Sequence, residues 1–319
     1  MKNNRKIAML YSSKNDYNIL EEILYKKSFK GIEDIFTVNI DCDSSLENKI
    51  YGQKFCDKYG ILNLNIPFNG SIPMQKCVEE TFKYFDDNNL DFEWLFVAQH
   101  DIFISHDNFW DLLENRINND TFLNKVGTIG FAVKNLPNEN DICYGRGNLI
   151  DGMIGKRDGF MINLPETYNN VDYFVVESSW YVGWLINRKL FKKYITPDYN
   201  FILNFWGDDI AHQFLSNDIF NITIPDLLVI DDWRYKTTLG IPHCNKGYNK
   251  FYHGDHWNHH DMWNKKYGYH MYYADRNFLK AENERKDCFM MYRRKYAGTL
   301  IDKIFNLHIN DGPKKIEDF

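Results

Sequence analysis

Residues 92–105 read Phe92-Glu-Trp-Leu-Phe-Val-Ala-Gln-His-Asp-Ile-Phe-Ile-Ser105, and the fold class turns on this stretch. Trp94 to Ala98 is a short apolar run of aromatic and β-branched residues, the pattern of a strand buried on both faces. It ends in Gln99-His100-Asp101, so polar groups stand at its carboxyl end. In open α/β sheets that edge collects ligands, because loops and helix N-termini converge there. A second apolar run, Ile102 to Ile104, follows at once and holds Asp101 between two ordered segments. A carboxylate on such a mount suits a divalent cation, which needs rigid oxygen ligands. An Asp that only caps a helix starting near Asp107 reads equally well from this stretch alone.

Outward from it, apolar runs alternate with helical periodicity. Strands are expected at Lys6–Tyr11, Ile35–Ile40, Ile61–Ile66 and Val126–Val133. Helices are expected after Asp16 and at Leu46–Tyr59, Met74–Phe85, Trp110–Ile117, Lys189–Tyr194 and Ile210–Leu215. This order predicts a mostly parallel α/β sheet flanked by helices. Pro137 to Asn170 is Gly-rich and aperiodic, the composition of a long functional loop or lid. Val171 to Asn187 reads as aromatic strand, and Ile219 to Ile230 as a strand pair broken at Pro225. Tyr273 to Leu307 reads as helical. The chain thus divides into a domain over 1–270 and a C-terminal helical extension over 271–319.

Composition narrows the function classes. A chain of 319 residues with 44% hydrophobic and 26% charged residues is that of a globular protein with ample core. A net charge of -6 argues against nucleic acid as main partner. Six cysteines without a Cys-x-x-Cys pair point to a reduced compartment, not a disulfide framework. With no signal-peptide core and no membrane-length run, a cytoplasmic protein is expected.

Carboxylates then recur at three element ends: Asp41/Asp43, Asp101 and Asp208/Asp209. An Asp-x-x-Ser turn (Asp41 to Ser44) follows the second strand, and Gln99-His100-Asp101 a later one. Next come the aromatic segment Val176-Glu-Ser-Ser-Trp-Tyr-Val-Gly-Trp184 and the motif Trp206-Gly-Asp-Asp209. Asn258 to Gly268 closes the series with Lys266-Tyr267-Gly268. In this order, over roughly residues 5 to 270, the chain resembles the GT-A (Rossmann-like) glycosyltransferases, especially the family 2 type. Gln99 and His100 depart from the family's usual Asp-x-Asp, although some family 2-like members look similar; the last carboxylate is kept as Asp101.

The resemblance implies transfer of a sugar, most often from a UDP-sugar, to a hydroxyl of a glycan or lipid-linked acceptor, with inversion. It implies Asp101 as ligand to Mn²⁺ or Mg²⁺, with His243 or His253 as a late extra ligand; imidazole suits Mn²⁺ better. Tyr11, Ser12, Asp41, Asp43, Gln99 and His100 are then donor-binding candidates. Asp209 would be the base, with Asp208 raising its pKa or binding acceptor. Trp180, Tyr181, Trp184 and Trp206 would form an acceptor wall. Each has a plainer reading: helix capping for the Asp pair, turn chemistry for Asp41 and Asp43, core packing for the aromatics. The basic residues Arg285, Lys286, Arg293, Arg294 and Lys295 form a solvated helix face or a peripheral contact with an anionic membrane. The rival functions are a catalytically inactive carbohydrate- or nucleotide-sugar-binding protein and a nucleotidyltransferase. The latter lacks a Gly-rich basic loop after the first strand.

Overall fold

The apolar runs become strands of one sheet in the computed structural model, which describes residues 5–23, 32–67, 73–98, 102–104, 106–136, 142–146, 160–162, 172–179, 183–201, 206–232, 262–263, 265–267 and 295–303. The first half alternates β1 (Ile7–Ser13), α1 (Tyr17–Ile23), β2 (Phe36–Asp41), α2 (Leu46–Tyr59), β3 (Leu62–Asn65), α3 (Met74–Asp87) and β4 (Trp94–Ala98). Then come β5 (Ile102–Ile104), α4 (Phe109–Asn119), β6 (Val126–Leu136), β7 (Ile142–Arg146), β8 (Phe160–Ile162) and β9 (Phe174–Val175). β10 (Gly183–Asn187), α5 (Arg188–Tyr194), α6 (Trp206–Leu215) and β11 (Phe220–Asp232) complete the series.

The sheet order is β3-β2-β1-β4-β10-β6-β11-β5, with β7, β8 and β9 off this path. β1 to β4 pair in parallel. β10 is antiparallel to both β4 and β6, and β6 is parallel to β11. The inserted antiparallel strand therefore leaves β6 and β11 running in the same direction as β1 to β4. Their carboxyl ends share one edge.

Alternation along the strands builds two cores. Ala8, Leu10, Leu95 and Val97 face α3, α5 and α6. Ile7, Met9, Trp94 and Phe96 face α1, α2 and α4. Strands buried on both faces explain why they read as unbroken apolar runs. α2 shows the local signals at both ends. The Ser45 hydroxyl accepts from the Asn48 N–H at its start, and Gly60 closes it in the left-handed region at φ 65°.

Several expectations change. The Gly-rich stretch 137–170 contains β7 and β8, which pair antiparallel with each other and, through β7, with β6. Pro225 does not divide a strand pair; β11 is one strand whose register shifts between Ile224 and Leu228, a bulge that absorbs the proline. α6 begins at Trp206 rather than Ile210. Of the expected C-terminal helix only 295–303 are described, and Tyr296, Leu300 and Ile301 pack into the same core as α3 and α6. Among the described residues no helix is long and apolar enough to cross a membrane.

Candidate functional site

The carboxyl edge carries the polar groups. β1 ends at Ser12 and Ser13, β2 at Asp41, and the described chain stops at Ala98 on β4 and resumes at Ile102 on β5. α6 enters the same edge: its last turn leads directly into the start of β11, so its N-terminus lies toward the strands' carboxyl ends. Gly127 on β6 fixes how close the helix comes, since a Cβ there would lie 2.4 Å from the Phe214 ring.

The two carboxylates of α6 face different surroundings. Asp209 is fully buried, and its two oxygens each take two donors. Oδ2 accepts from Gln75 Nε2 on α3 and from Gln213 Nε2, both at 2.9 Å. Oδ1 accepts from Lys266 Nζ at 2.6 Å and from the Tyr267 hydroxyl at 2.5 Å. Burial pushes the Asp209 pKa up, while Lys266, Tyr267 and Gln75 hold it down. Asp208, 3% exposed, turns to the other side, where the Ser178 hydroxyl donates to its Oδ1 at 2.7 Å. Ser178 belongs to a buried polar run, Glu177-Ser178-Ser179, tied to β6 and β11 through Thr128 and Asn221.

At the ends of β1 and β2, Ser12 is half-buried and its hydroxyl donates to Met74 Sδ at the start of α3. Asp41 is 1% exposed; its Oδ1 accepts from the Ser44 N–H and its Oδ2 from the Tyr17 hydroxyl. Asp41 thus ties the loops after β1 and β2 together, as turn chemistry requires. Asp43 is exposed, sits at φ 63° and pairs with Lys49 at 3.2 Å.

Three sequence-based candidates sit in packing positions instead. Tyr11 is fully buried among the residues under α1 and α2. Trp184 is fully buried and Trp206 4% exposed, their rings 5.4 Å apart in the core beneath α6. Strand alternation turns Trp184 inward, and α6 lies over it. Gln99, His100, Asp101, Trp180, Tyr181, His243 and His253 lie outside the described residues. Among the described residues no group of three or more His, Cys, Asp or Glu makes a metal site. Lys295 is the described member of the basic stripe, and its ammonium donates to the Tyr267 carbonyl.

Sequence reasoning missed Lys266 as the partner of Asp209, although the Lys-Tyr-Gly motif marked the place. It also missed Asp231, a buried carboxylate at the end of β11 in register with Ile102. A cleft of about 1030 Å³, lined by Asp86, Asn89, Glu93, Arg188 and Lys192 among others, lies at the opposite edge, where β4 begins. It is remote from the carboxylates of α6.

Among solved structures, the chain is similar to GalNAc-T7 in complex with UDP, GalNAc and Mn²⁺. The identity is 9% and the TM-score 0.51, over 92% of this chain and 57% of that one. It is also similar to the mannosyltransferase PcManGT from Pyrobaculum calidifontis in complex with GDP-Man and Mn²⁺. There the identity is 11% and the TM-score 0.44, over 72% of this chain and 57% of that one. The chain thus spans somewhat over half the length of both. No protein-family model matches it, and no curated protein matches it. At such identities the likeness bears on architecture, and the central sheet flanked by helices is a GT-A-like fold.

Proposed function

We propose that the protein is a glycosyltransferase that moves a sugar from a nucleotide-sugar, a UDP-sugar in the first instance, to a hydroxyl of a glycan or lipid-linked acceptor with inversion. The observation that carries this reading is the first turn of α6. It brings Asp208 and Asp209 to the carboxyl edge of the sheet, where β1 ends in Ser12-Ser13 and β2 in Asp41. An inverting transfer needs a carboxylate to take the acceptor's proton on the face of the sugar opposite the leaving diphosphate. Asp209 has both oxygens engaged by four donors inside the protein, so its role is to fix the helix. Asp208, held by Ser178, is the base of this proposal, a reversal of the roles that the motif suggests. Ser12 and the loop after β2 lie on the donor side.

A divalent cation belongs to the same reading, with Asp101, His243 and His253 as the residues that would hold it. When bound it would offset the negative charge of the leaving diphosphate. The test is a panel of UDP- and GDP-sugars in thermal unfolding, with and without Mn²⁺. A true donor well above its Kd adds roughly 2–4 kcal/mol of stability. Stabilisation that disappears with EDTA supports the proposal. Absence of any stabilisation across the panel refutes it, and donor binding without transfer to any acceptor favours the inactive binding protein.

A further inference from the structure

The Lys266-Tyr267 pair has a place in the structure that the transfer reaction as described does not use. Lys266 reaches a carboxylate 57 positions earlier in the chain, and Tyr267 donates to the same oxygen. Lys266 also pairs with Asp198 at 3.2 Å, next to the backbone N–H that donates to Gln75. Gln75 in turn bonds both Asp209 Oδ2 and the Trp206 carbonyl, so α3 and residues 266–267 grip the first turn of α6 from two directions. One helical turn further on, His212 is fully buried against the rings of Trp263, Tyr267 and Tyr296, with Nε2 3.0 Å from the Tyr296 hydroxyl. Beyond the helix, Asp218 accepts from the Leu300 N–H at 2.8 Å. The described C-terminal pieces thus fasten one face of α6 along its length, and the face bearing Asp208 is turned to Ser178.

We propose that Lys266 and Tyr267 are positioning residues of the transfer reaction: they hold Asp209 as an ionised, immobile anchor, and so fix the helix turn from which Asp208 acts. The inference rests on the reading of α6 as the site helix. Its physical basis is that a carboxylate without water keeps its charge only when an opposite charge and several donors are supplied. Here Lys266 supplies the charge, and Gln75, Gln213 and Tyr267 the remaining donors. Four donors from three segments define the plane of the carboxylate as well as its place. Without Lys266, Asp209 would take up a proton and become a donor, the pattern around it would rearrange, and the turn would shift. A misplacement of about 1 Å at a reacting group costs on the order of 10²-fold in rate.

The experiment compares Lys266→Met, Lys266→Arg, Tyr267→Phe and the double variant Asp209→Asn/Lys266→Met in the full chain. Three quantities are measured: UDP–Mn²⁺ affinity by calorimetry, turnover of the nucleotide-sugar, and the infrared band of a protonated carboxyl in ¹³C-Asp-labelled protein. Lys266→Met is expected to lower kcat by ~10²-fold at unchanged UDP affinity. It is also expected to show a protonated carboxyl band at neutral pH that is absent from the wild type and from the double variant. Lys266→Arg should recover most of kcat, because it restores the charge. Wild-type kcat in Lys266→Met, or no new carboxyl band, would overturn the proposal. If Lys266→Met does not fold, Tyr267→Phe and Lys266→Arg decide it: wild-type kcat in the former, or kcat lowered by ~10²-fold in the latter, overturns it. If the wild type turns over no nucleotide-sugar, the transferase reading fails, and the infrared band still decides whether Lys266 keeps Asp209 ionised.

Discussion

At the scale of the residue, two adjacent aspartates illustrate how little sequence position says about role. Their helix turns Asp209 into a closed shell of four donors and Asp208 toward Ser178. Asp208→Asn should lower turnover by at least ~10²-fold with donor affinity unchanged, the pattern of a lost base. Asp209→Asn should act first on stability, seen as a lower denaturation midpoint. Equal turnover in Asp208→Asn and wild type would remove Asp208 as base. Gly52 provides a second residue-scale prediction. A Cβ there would lie 2.3 Å from the Tyr17 ring, which is fully buried and whose hydroxyl holds Asp41. Gly52→Ala gains up to ~1 kcal/mol of helix propensity, but overpacking costs about 1–3 kcal/mol. Crowding should win, and a urea midpoint at or above the wild-type value would show that the ring yields.

At the scale of the element, legibility followed how local the determinants were. α2, β4 and β5 lie where the sequence places them, because apolar runs, Ser45 and Gly60 lie within the segments themselves. The sequence pattern places the start of α6 four residues late. Every residue from Trp206 to His212 is buried, so no polar face marks the period, and Gly207 resembles a loop residue. β7 and β8 are hidden in the Gly-rich stretch: each pairs with the strand that precedes it, but both are short and Gly145 interrupts the apolar pattern of β7. The Asp-Asp motif was visible, while the cation that neutralises one member lies 57 positions away, beyond any local pattern. At this scale the Asp209–Lys266 pair makes a stability prediction. Lys266→Met leaves Asp209 to be protonated in place of its charge partner and should cost up to about 3–5 kcal/mol, the limit for a buried charge left bare. The Asp209→Asn/Lys266→Met double variant should cost less than Lys266→Met alone, measured by a double-mutant cycle in denaturant. Strict additivity would mean the pair contributes nothing as a pair.

At the scale of the whole molecule, the described C-terminal pieces share the core with α3 and α6, so stability should respond to groups buried between them. His212 is the clearest: burial first, then Lys295 and Lys266, push its pKa down to about 3. Unfolded, it would titrate near ~6.5. Between these values the unfolded chain binds a proton that the folded chain refuses. Its contribution is therefore fully present above pH ~6.5 and lost as pH falls, by up to about 1.4 kcal/mol per unit. Asp209, whose folded pKa is raised, works in the opposite direction, and Tyr267 and Tyr296 complete the surroundings. His212→Gln should flatten the fall in Tm between pH 6.5 and 5; an unchanged slope would assign the acid sensitivity elsewhere. The central claim, that a nucleotide-sugar binds at the carboxyl edge beside α6, is tested most directly by hydrogen exchange with and without UDP-sugar and Mn²⁺. The account predicts added protection at residues 12–16, 41–46 and 206–210. Protection confined to residues 86–93 and 187–192, around the cleft at the opposite edge, would contradict it.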